Sequence, residues 1–494
     1  MIAAHLPALQ VVIPLLSAPV CAVLGRGIFA WVVTMVVAWV AFFIAAALLF
    51  EVVTNGPVSY EMGGWAAPWG IEYRIDRLNG PVLVIVAAIG ALVTPCLRYN
   101  IARELAPEQR PLFYAAFLLA LTGLLGITIT GDVFNLYVFL EIASLASYTL
   151  VALGKTRRAL PAAFQYLVLG TIGATFMLIG IGLLYMMTGT LNMLDLAERL
   201  PAVHDLRMTR AAFAFIVVGA GLKLALFPLH LWMPNAYTYA PSVVSAFLAG
   251  TATKVGVYML ARFVFTVFGA DFSFKIMPLG ELLMIFALAG ILVGSLVAIF
   301  QTNMKRMLAY SSVAQIGYMA LGMSFANVNG LVATLVHMFN HAAMKGTLFL
   351  VLACVTYRIG ASNLKAMRGL GRRMPFTMAA FVAAGFSLVG LPLTVGFVSK
   401  WYLLVAAIES GRWPVAVVVL VGSLLAFVYI WRVIEVAYFR EPHEDAPEVI
   451  REAPLALVVP TLVLAAVTIY FGIDTDLTVG VARVAALTLL GGFQ

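Results

Sequence analysis

Charged residues are scarce in this sequence. Asp, Glu, Lys and Arg make up 11% of its 494 residues, whereas soluble domains carry about 25%. That excludes a soluble enzyme, and an apolar content of 63% excludes a disordered chain. Cysteine is nearly absent: Cys21, Cys96 and Cys354 stand far apart in apolar runs, with neither a disulfide framework nor metal-ligand spacing. The apolar runs do not alternate with polar residues as the strands of an outer-membrane barrel would. No Gly-rich nucleotide loop or cofactor motif occurs, so no cofactor is expected. The net charge of +8 does not point to nucleic acid, because in such a chain it reports basic cytoplasmic loops.

What is present is a succession of long apolar segments from end to end, the pattern of a polytopic helical membrane protein. Fourteen can be counted. The first, 7–24, lacks a preceding basic region and reads as a membrane helix, not a cleaved signal. Two are long and interrupted by proline: 211–238 with Pro228 and Pro234, and 375–408 with Pro392. With fourteen spans, sixteen Lys and Arg (Arg26 among them) fall on one side, eight on the other and six inside spans. The bias places the first side in the cytoplasm and both termini outside. The loop 51–76, rich in Gly, Trp and Pro, then lies outside, and the acidic loop 440–453 inside. We read 1–494 as one transmembrane domain. Its sub-parts are 1–110 with three helices, a first repeat at 111–266, a second at 277–439, and a C-terminal helix and tail at 455–494.

A charge at the bilayer centre costs about 2.5–3.5 kcal/mol on insertion scales, so buried ionisable residues are functional candidates. Glu141 lies about 12 Å of helix into its span and is the one carboxylate at that depth. Lys223, five residues before Pro228, is its natural partner. Burial disfavours a charged lysine and a nearby carboxylate favours it, so moving the two apart would trade a proton. A static salt bridge is the alternative. Lys254 and Lys400 are also at mid-span, Lys400 eight residues after Pro392. His337, His341 and Lys345 recur every four residues and share one helix face, as a relay or as satisfied core residues. The HxxxH spacing would suit a metal, but Lys345 would repel a cation and no carboxylate is near, so no metal is expected. His230, two residues past Pro228, is either an exit group or a stabiliser of the break. Arg262 and Arg432 lie near span ends and would snorkel. Asp132 reads as an N-cap. LALFPLHLW around Pro228 echoes LVGLPLTVGF around Pro392, an internal repeat of the kind that pairs broken helices in transporters.

Together these groups would form a polar line across the membrane plane, suited to proton movement and not to redox or hydrolytic chemistry. The strings GLKLALFPLHLWMPNAYTYAPSVVSAFLAGTATKVGVY, MKRMLAYSSVAQIGYM, HMFNHAAMKGTLF and SLVGLPLTVGFVSKWYL resemble antiporter-like proton-translocating subunits. These occur in Mrp-type Na+/H+ antiporters, respiratory complex I and membrane-bound hydrogenases. GGWAAPWGIEYRIDRLNG and GDVFNLYVFLEIASLASYTLVAL are most similar to the D-type branch of Mrp subunits.

The resemblance implies about fourteen helices with two inverted five-helix repeats, each with one broken helix. It implies a Glu141–Lys223 pair, a connecting Lys254, His337 and His341 as linkers and a distal Lys400. The larger sister subunits continue into a lateral helix, which is not expected here. The expected function is proton translocation in a monovalent cation (Na+)/H+ antiporter, not enzymatic in itself, in the cell (inner) membrane with other membrane subunits. A redox-driven proton pump, or a membrane partner of a bicarbonate-uptake protein, remains open.

Overall fold

A computed structural model describes residues 2–23, 25, 27–442 and 451–491. The chain opens with α1 (Leu6–Val23) and α2 (Gly27–Asn55), then a hairpin of β1 (Val58–Glu61) and β2 (Glu72–Ile75). There follow α3 (Asn79–Glu104), α4 (Arg110–Ile129), α5 (Val133–Ala152), α6 (Ala159–Thr188) and a short α7 (Met193–Arg199). Next come α8 (Arg207–Leu224), α9 (Trp232–Tyr239), α10 (Ser242–Gly250) and α11 (Ala252–Ala261). Then follow α12 (Leu279–Ile299), α13 (Met304–Ser324), α14 (Val328–Ile359) and a short α15 (Leu370–Arg373). The chain continues with α16 (Pro375–Val389), α17 (Val395–Glu409), α18 (Trp413–Phe439), α19 (Leu455–Ile473) and α20 (Asp476–Leu489).

The architecture is that of an all-α polytopic membrane protein. Within a bilayer each backbone N–H and C=O must be satisfied inside its own segment, so apolar runs of this length fold as helices. Among the described residues eleven helical segments are long and apolar enough to cross a membrane, Ser242–Val267 counting as one. The polar α13 and the interrupted pairs α8–α9 and α16–α17 complete the fourteen segments expected from hydropathy. Burial sorts them. In Ser242–Val267 and in α14, 94% of the central window is buried, against 39% in α2, α6 and α18. The helices that carry Lys254, His337, His341 and Lys345 therefore form the centre of the bundle, and α2, α6 and α18 lie at its surface.

Four features differ from what hydropathy and charge predict. The run 242–266 is not one helix: it breaks at Thr251, whose φ of −123° and ψ of −62° separate α10 from α11. The loop 51–76 is a clamp, because Glu72 C=O accepts from Gly131 N–H at 2.8 Å. The buried Glu72 side chain also receives Ser59 Oγ at 2.7 Å and Asn192 Nδ2 at 2.9 Å. The tail beyond the last span contains α20, packed on α14. Arg26 and residues 443–450 of the acidic loop lie outside the described residues.

The fourth difference is Arg262, which does not snorkel. It is buried, with Nη1 at 2.8 Å from Asp76 Oδ2 and Nη2 at 2.9 Å from Asp76 Oδ1. Tyr258 OH, 3.3 Å from Arg262 Nε, continues to the Thr128 carbonyl at 3.2 Å. The pair pins the entrance of α3 to the end of α11. Arg432 caps α12 instead, with Nη1 at 2.6 Å from Ile299 C=O.

Burial opposes ionisation of Asp76, but Arg262 and the N–H groups of Leu78 and Asn79 outweigh it, and the carboxyl sits below its usual range. A depressed carboxyl contributes stability that is full above the unfolded value of about 3.9 and is lost as pH falls through the folded value. Asp76→Asn should destabilise the purified complex by about 3–5 kcal/mol, since it orphans a buried guanidinium. Adding Arg262→Met should recover most of that loss, and thermal melts of the three proteins check it.

Candidate functional site

The first sector forms where α5, α6 and α8 meet. Asp132 caps α5 as expected, its side chain accepting from Asn135 N–H at 2.6 Å. That sets the helix phase that turns Ser144 and Tyr148 toward α8. The α8 helix ends at Ala225 in the left-handed conformation, φ 61°. Residues 225–231 are the break, and Trp232 Nε1 donates to the Leu222 carbonyl at 2.9 Å. A side chain of α9 thus satisfies a carbonyl at the end of α8, as a broken membrane helix requires.

Lys223 Nζ donates to Ser144 Oγ at 2.7 Å and lies 3.4 Å from Tyr148 OH. Tyr148 meets the Tyr166 ring edge-on at 4.6 Å, and Tyr166 stacks on Trp232 at 4.1 Å. Glu141, half-buried one turn before Ser144, is in electrostatic range of Lys223. The two do not form an ion pair within 4 Å, so the static salt bridge weighed as the alternative is not seen here. A cavity of about 30 Å³ lined by Lys223, Ser144, Ser147, Tyr166 and the first turn of α11 lies on the side facing Lys254's helix. A single water needs about 10–15 Å³ of such space and two to four polar partners.

The second sector is the break in α10–α11. Lys254 is fully buried, and its Nζ donates to the Ala249 carbonyl and lies 3.4 Å from Thr253 Oγ1. The third sector is α14. His337 Nε2 lies 3.0 Å from Gln315 Oε1 of α13, and Nδ1 lies 2.8 Å from Ser399 Oγ of α17. The His341 ring is nearly parallel to it, with centroids 6.1 Å apart. His341 is fully buried, and among the described residues neither of its ring nitrogens has a hydrogen-bond partner. Lys345, also fully buried, donates to the Leu308 carbonyl at 2.8 Å and to Ser311 Oγ.

The last sector is the second break. Gly390, at φ 92°, ends α16, a conformation that costs other residues steric strain. The carbonyls there are turned to Lys400, whose Nζ donates to Leu388 at 3.0 Å, Val389 at 2.8 Å and Ser423 Oγ at 2.9 Å. Its Nζ stands 4.8 Å over the Tyr318 ring, which also meets His337 edge-on at 5.9 Å. His230 is buried in the first break and stacked on Phe227 at 5.2 Å. Among the described residues its Nδ1 has no hydrogen-bond partner, and its ring meets Tyr310 of α13 edge-on at 6.4 Å.

The structure thus gathers Lys254, His341, Lys345, His337 and Lys400 through α10–α11, α13, α14 and the second break. Lys223 and Glu141 lie on the first-break side. Amines and imidazoles here stand among hydroxyl and amide groups that can donate and accept hydrogen bonds. Sequence reasoning misses the connecting groups Ser144, Tyr148, Ser311, Gln315, Tyr318, Ser399 and Ser423. A signal exists for some: Ser311, Gln315 and Tyr318 recur at helical spacing on one face of a span, and Ser144 follows Glu141 by three residues. Among the described residues, groups of three or more His, Cys, Asp and Glu that could hold a metal do not occur.

Residues 130–426 match the family described as NADH:quinone oxidoreductase/Mrp antiporter, TM. The chain is similar to the N-type subunit of NADH-quinone oxidoreductase from Desulforudis audaxviator, with 44% identity over 488 residues and 96% of each chain covered. It is similar to the D-type subunit of the Na(+)/H(+) antiporter from Alkalihalophilus pseudofirmus, with 31% identity over 433 residues, 87% of this chain and 85% of that one. Its fold matches a chain of the Mrp complex from Dietzia with a TM-score of 0.91 at 26% identity, over 100% of this chain and 98% of the other.

Proposed function

The chain belongs to the NADH:quinone oxidoreductase/Mrp antiporter family, and from that premise we propose that it translocates protons along the buried Glu/Lys/His line for monovalent cation/proton antiport. It is an antiporter-like membrane subunit that works with other membrane subunits of a hetero-oligomeric complex. The observation that carries the proton reading is His337, bridged between Gln315 and Ser399 beside an unpartnered His341. An imidazole with partners on both nitrogens can take a proton on one side and release it on the other. Glu141 and Lys223 load the line, Lys254 and His341 connect its halves, and Lys400 ends it. Lys345 biases His341, and His230 attends the first break.

The similarity to a NADH-quinone oxidoreductase subunit favours a second reading, in which electron transfer in partner subunits drives the same line. The two separate in inverted vesicles holding the whole complex. Antiport requires that a Na+, K+ or Li+ pulse dissipates a preformed pH gradient without an electron donor. A gradient built only on adding NADH or another reductant, and unmoved by cations, would select the second.

His337→Ala should reduce proton flux about tenfold or more with the complex assembled, checked by flux against subunit content. Wild-type flux would make His337 a core residue. The proposed topology has both termini and the clamp outside and 358–374 in the cytoplasm, with sub-parts 111–266 and 277–439 as inverted repeats. Lys365→Cys should then resist an impermeant maleimide in intact cells and react after permeabilisation; labelling in intact cells refutes it.

A further inference from the structure

Behind the helix that carries His337 and His341, the chain forms a second feature that the proton line does not use. A cavity of about 490 Å³ lies between α2, α3, α14, α19 and α20. Its walls are apolar, with Val84, Ala88, Phe339, Val467 and Val481 among them, and its polar lining residues are Arg77 and Thr478. The pocket is open to the protein surface on one side, and its volume falls in the range of about 300–1,000 Å³ of small-molecule sites. One chain supplies all of these walls, and the amphipathic α20 closes one side through Leu477, Val481 and Ala482.

Charge decides what fits it. Arg77 stands at the end of the pocket where α2 finishes and α3 begins, at the level where a membrane gives way to water. Among the described residues its guanidinium makes one long hydrogen bond, Nη2 to the Val53 carbonyl at 3.4 Å, and no ion pair within 4 Å. A planar fork with most of its N–H groups uncommitted, above an apolar shaft, is complementary to a phosphate on hydrocarbon tails. We propose that this pocket is a binding site for a glycerophospholipid, with its phosphate on Arg77 and an acyl chain seated between α3, α14 and α19. Leu335, Val336, Met338, Phe339, Ala342 and Ala343 of α14 line the pocket, interleaved with His337 and His341. The seated chain would brace the helix that positions both rings.

The test uses the assembled complex in vesicles of a phosphatidylglycerol and phosphatidylethanolamine mixture, with a trace of phospholipid bearing a diazirine at mid-chain. Irradiation should label peptides containing Val84, Phe339 and Val467. Ala88→Trp, which fills the shaft, should reduce that label at least fivefold. Arg77→Gln leaves the shaft open and should lower retention of phospholipid after detergent exchange about threefold or more; quantitative lipid mass spectrometry reads this. Labelling unchanged in Ala88→Trp, or confined to the lipid-facing α6 and α18, would overturn the pocket as a site. Retention unchanged in Arg77→Gln would overturn the phosphate assignment. Wild-type pocket peptides labelled by an isoprenoid quinone probe but not by the phospholipid would overturn the lipid class. The same peptides crosslinked to a partner subunit would assign the surface to a protein helix and overturn the proposal. Thermal melts of both variants confirm that the label is lost from folded complex.

Discussion

Glu141→Gln is expected to reduce proton flux to background in a fully assembled complex, and Glu141→Asp to keep part of it. Gln preserves volume and hydrogen bonding but cannot hold the negative charge, and Asp keeps the charge while retracting it by one methylene. Orphaning one member of a closed, buried ion pair costs about 3–5 kcal/mol and would confuse lost chemistry with lost fold. The structure removes that ambiguity: Lys223 Nζ rests on Ser144 Oγ and near Tyr148 OH, not on the carboxylate. Glu141→Gln therefore breaks no closed pair, and subunit content in the membrane should stay at the wild-type level. The double change Glu141→Gln with Lys223→Met carries the decision. If the two residues only neutralise each other, removing both charges restores transport. If they trade a proton, the double variant assembles and remains inactive. Vesicle flux normalised to assembled complex distinguishes the two, and a double variant that transports normally overturns the proton-path assignment.

His341→Phe is expected to abolish transport and at the same time to stabilise the complex. A buried polar group without a partner carries its desolvation penalty uncompensated, about 1–3 kcal/mol. Among the described residues His341 is fully buried and neither ring nitrogen has a protein hydrogen-bond partner, so a somewhat larger aromatic ring gives up no protein hydrogen bond. The parallel contact with His337 at 6.1 Å is one that a phenyl ring can keep. A purely structural histidine here would be a poor choice, and replacing it would be harmless to transport. Opposite signs in two measurements, a higher melting temperature and flux at background, are what a relay residue held against stability would produce. Wild-type flux in His341→Phe would remove His341 from the line.

Much of this protein is legible in its sequence, for a physical reason. A bilayer offers backbone groups no hydrogen-bond partners, so apolar runs become helices wherever they are long enough. Their number and the two proline breaks follow from composition alone. The same solvent makes a buried charge expensive, which is why Glu141, Lys223, Lys254, Lys345 and Lys400 stand out from the sequence, and why the segments that carry Lys254 and the His337–His341 stripe are the most buried.

The tertiary structure decided everything that depends on which helices are neighbours. Hydropathy is blind to a break that keeps its residues apolar, so the separation of α10 from α11 at Thr251, beside Lys254, escapes it. Charge counting treats an arginine near a span end as free to reach water, yet packing brings Asp76 to Arg262 across 186 residues and buries the guanidinium. Partner choice is likewise a matter of helix rotation. A turn of α5 by one residue is about 100°, and that phase sets Ser144, not Glu141, against Lys223. Serine, glutamine and tyrosine carry no charge for the bilayer to penalise strongly, so the groups that join the lysines and histidines into one line give little signal. Their role appears only once α13, α14 and α17 pack together and place Gln315 and Ser399 on the two nitrogens of His337.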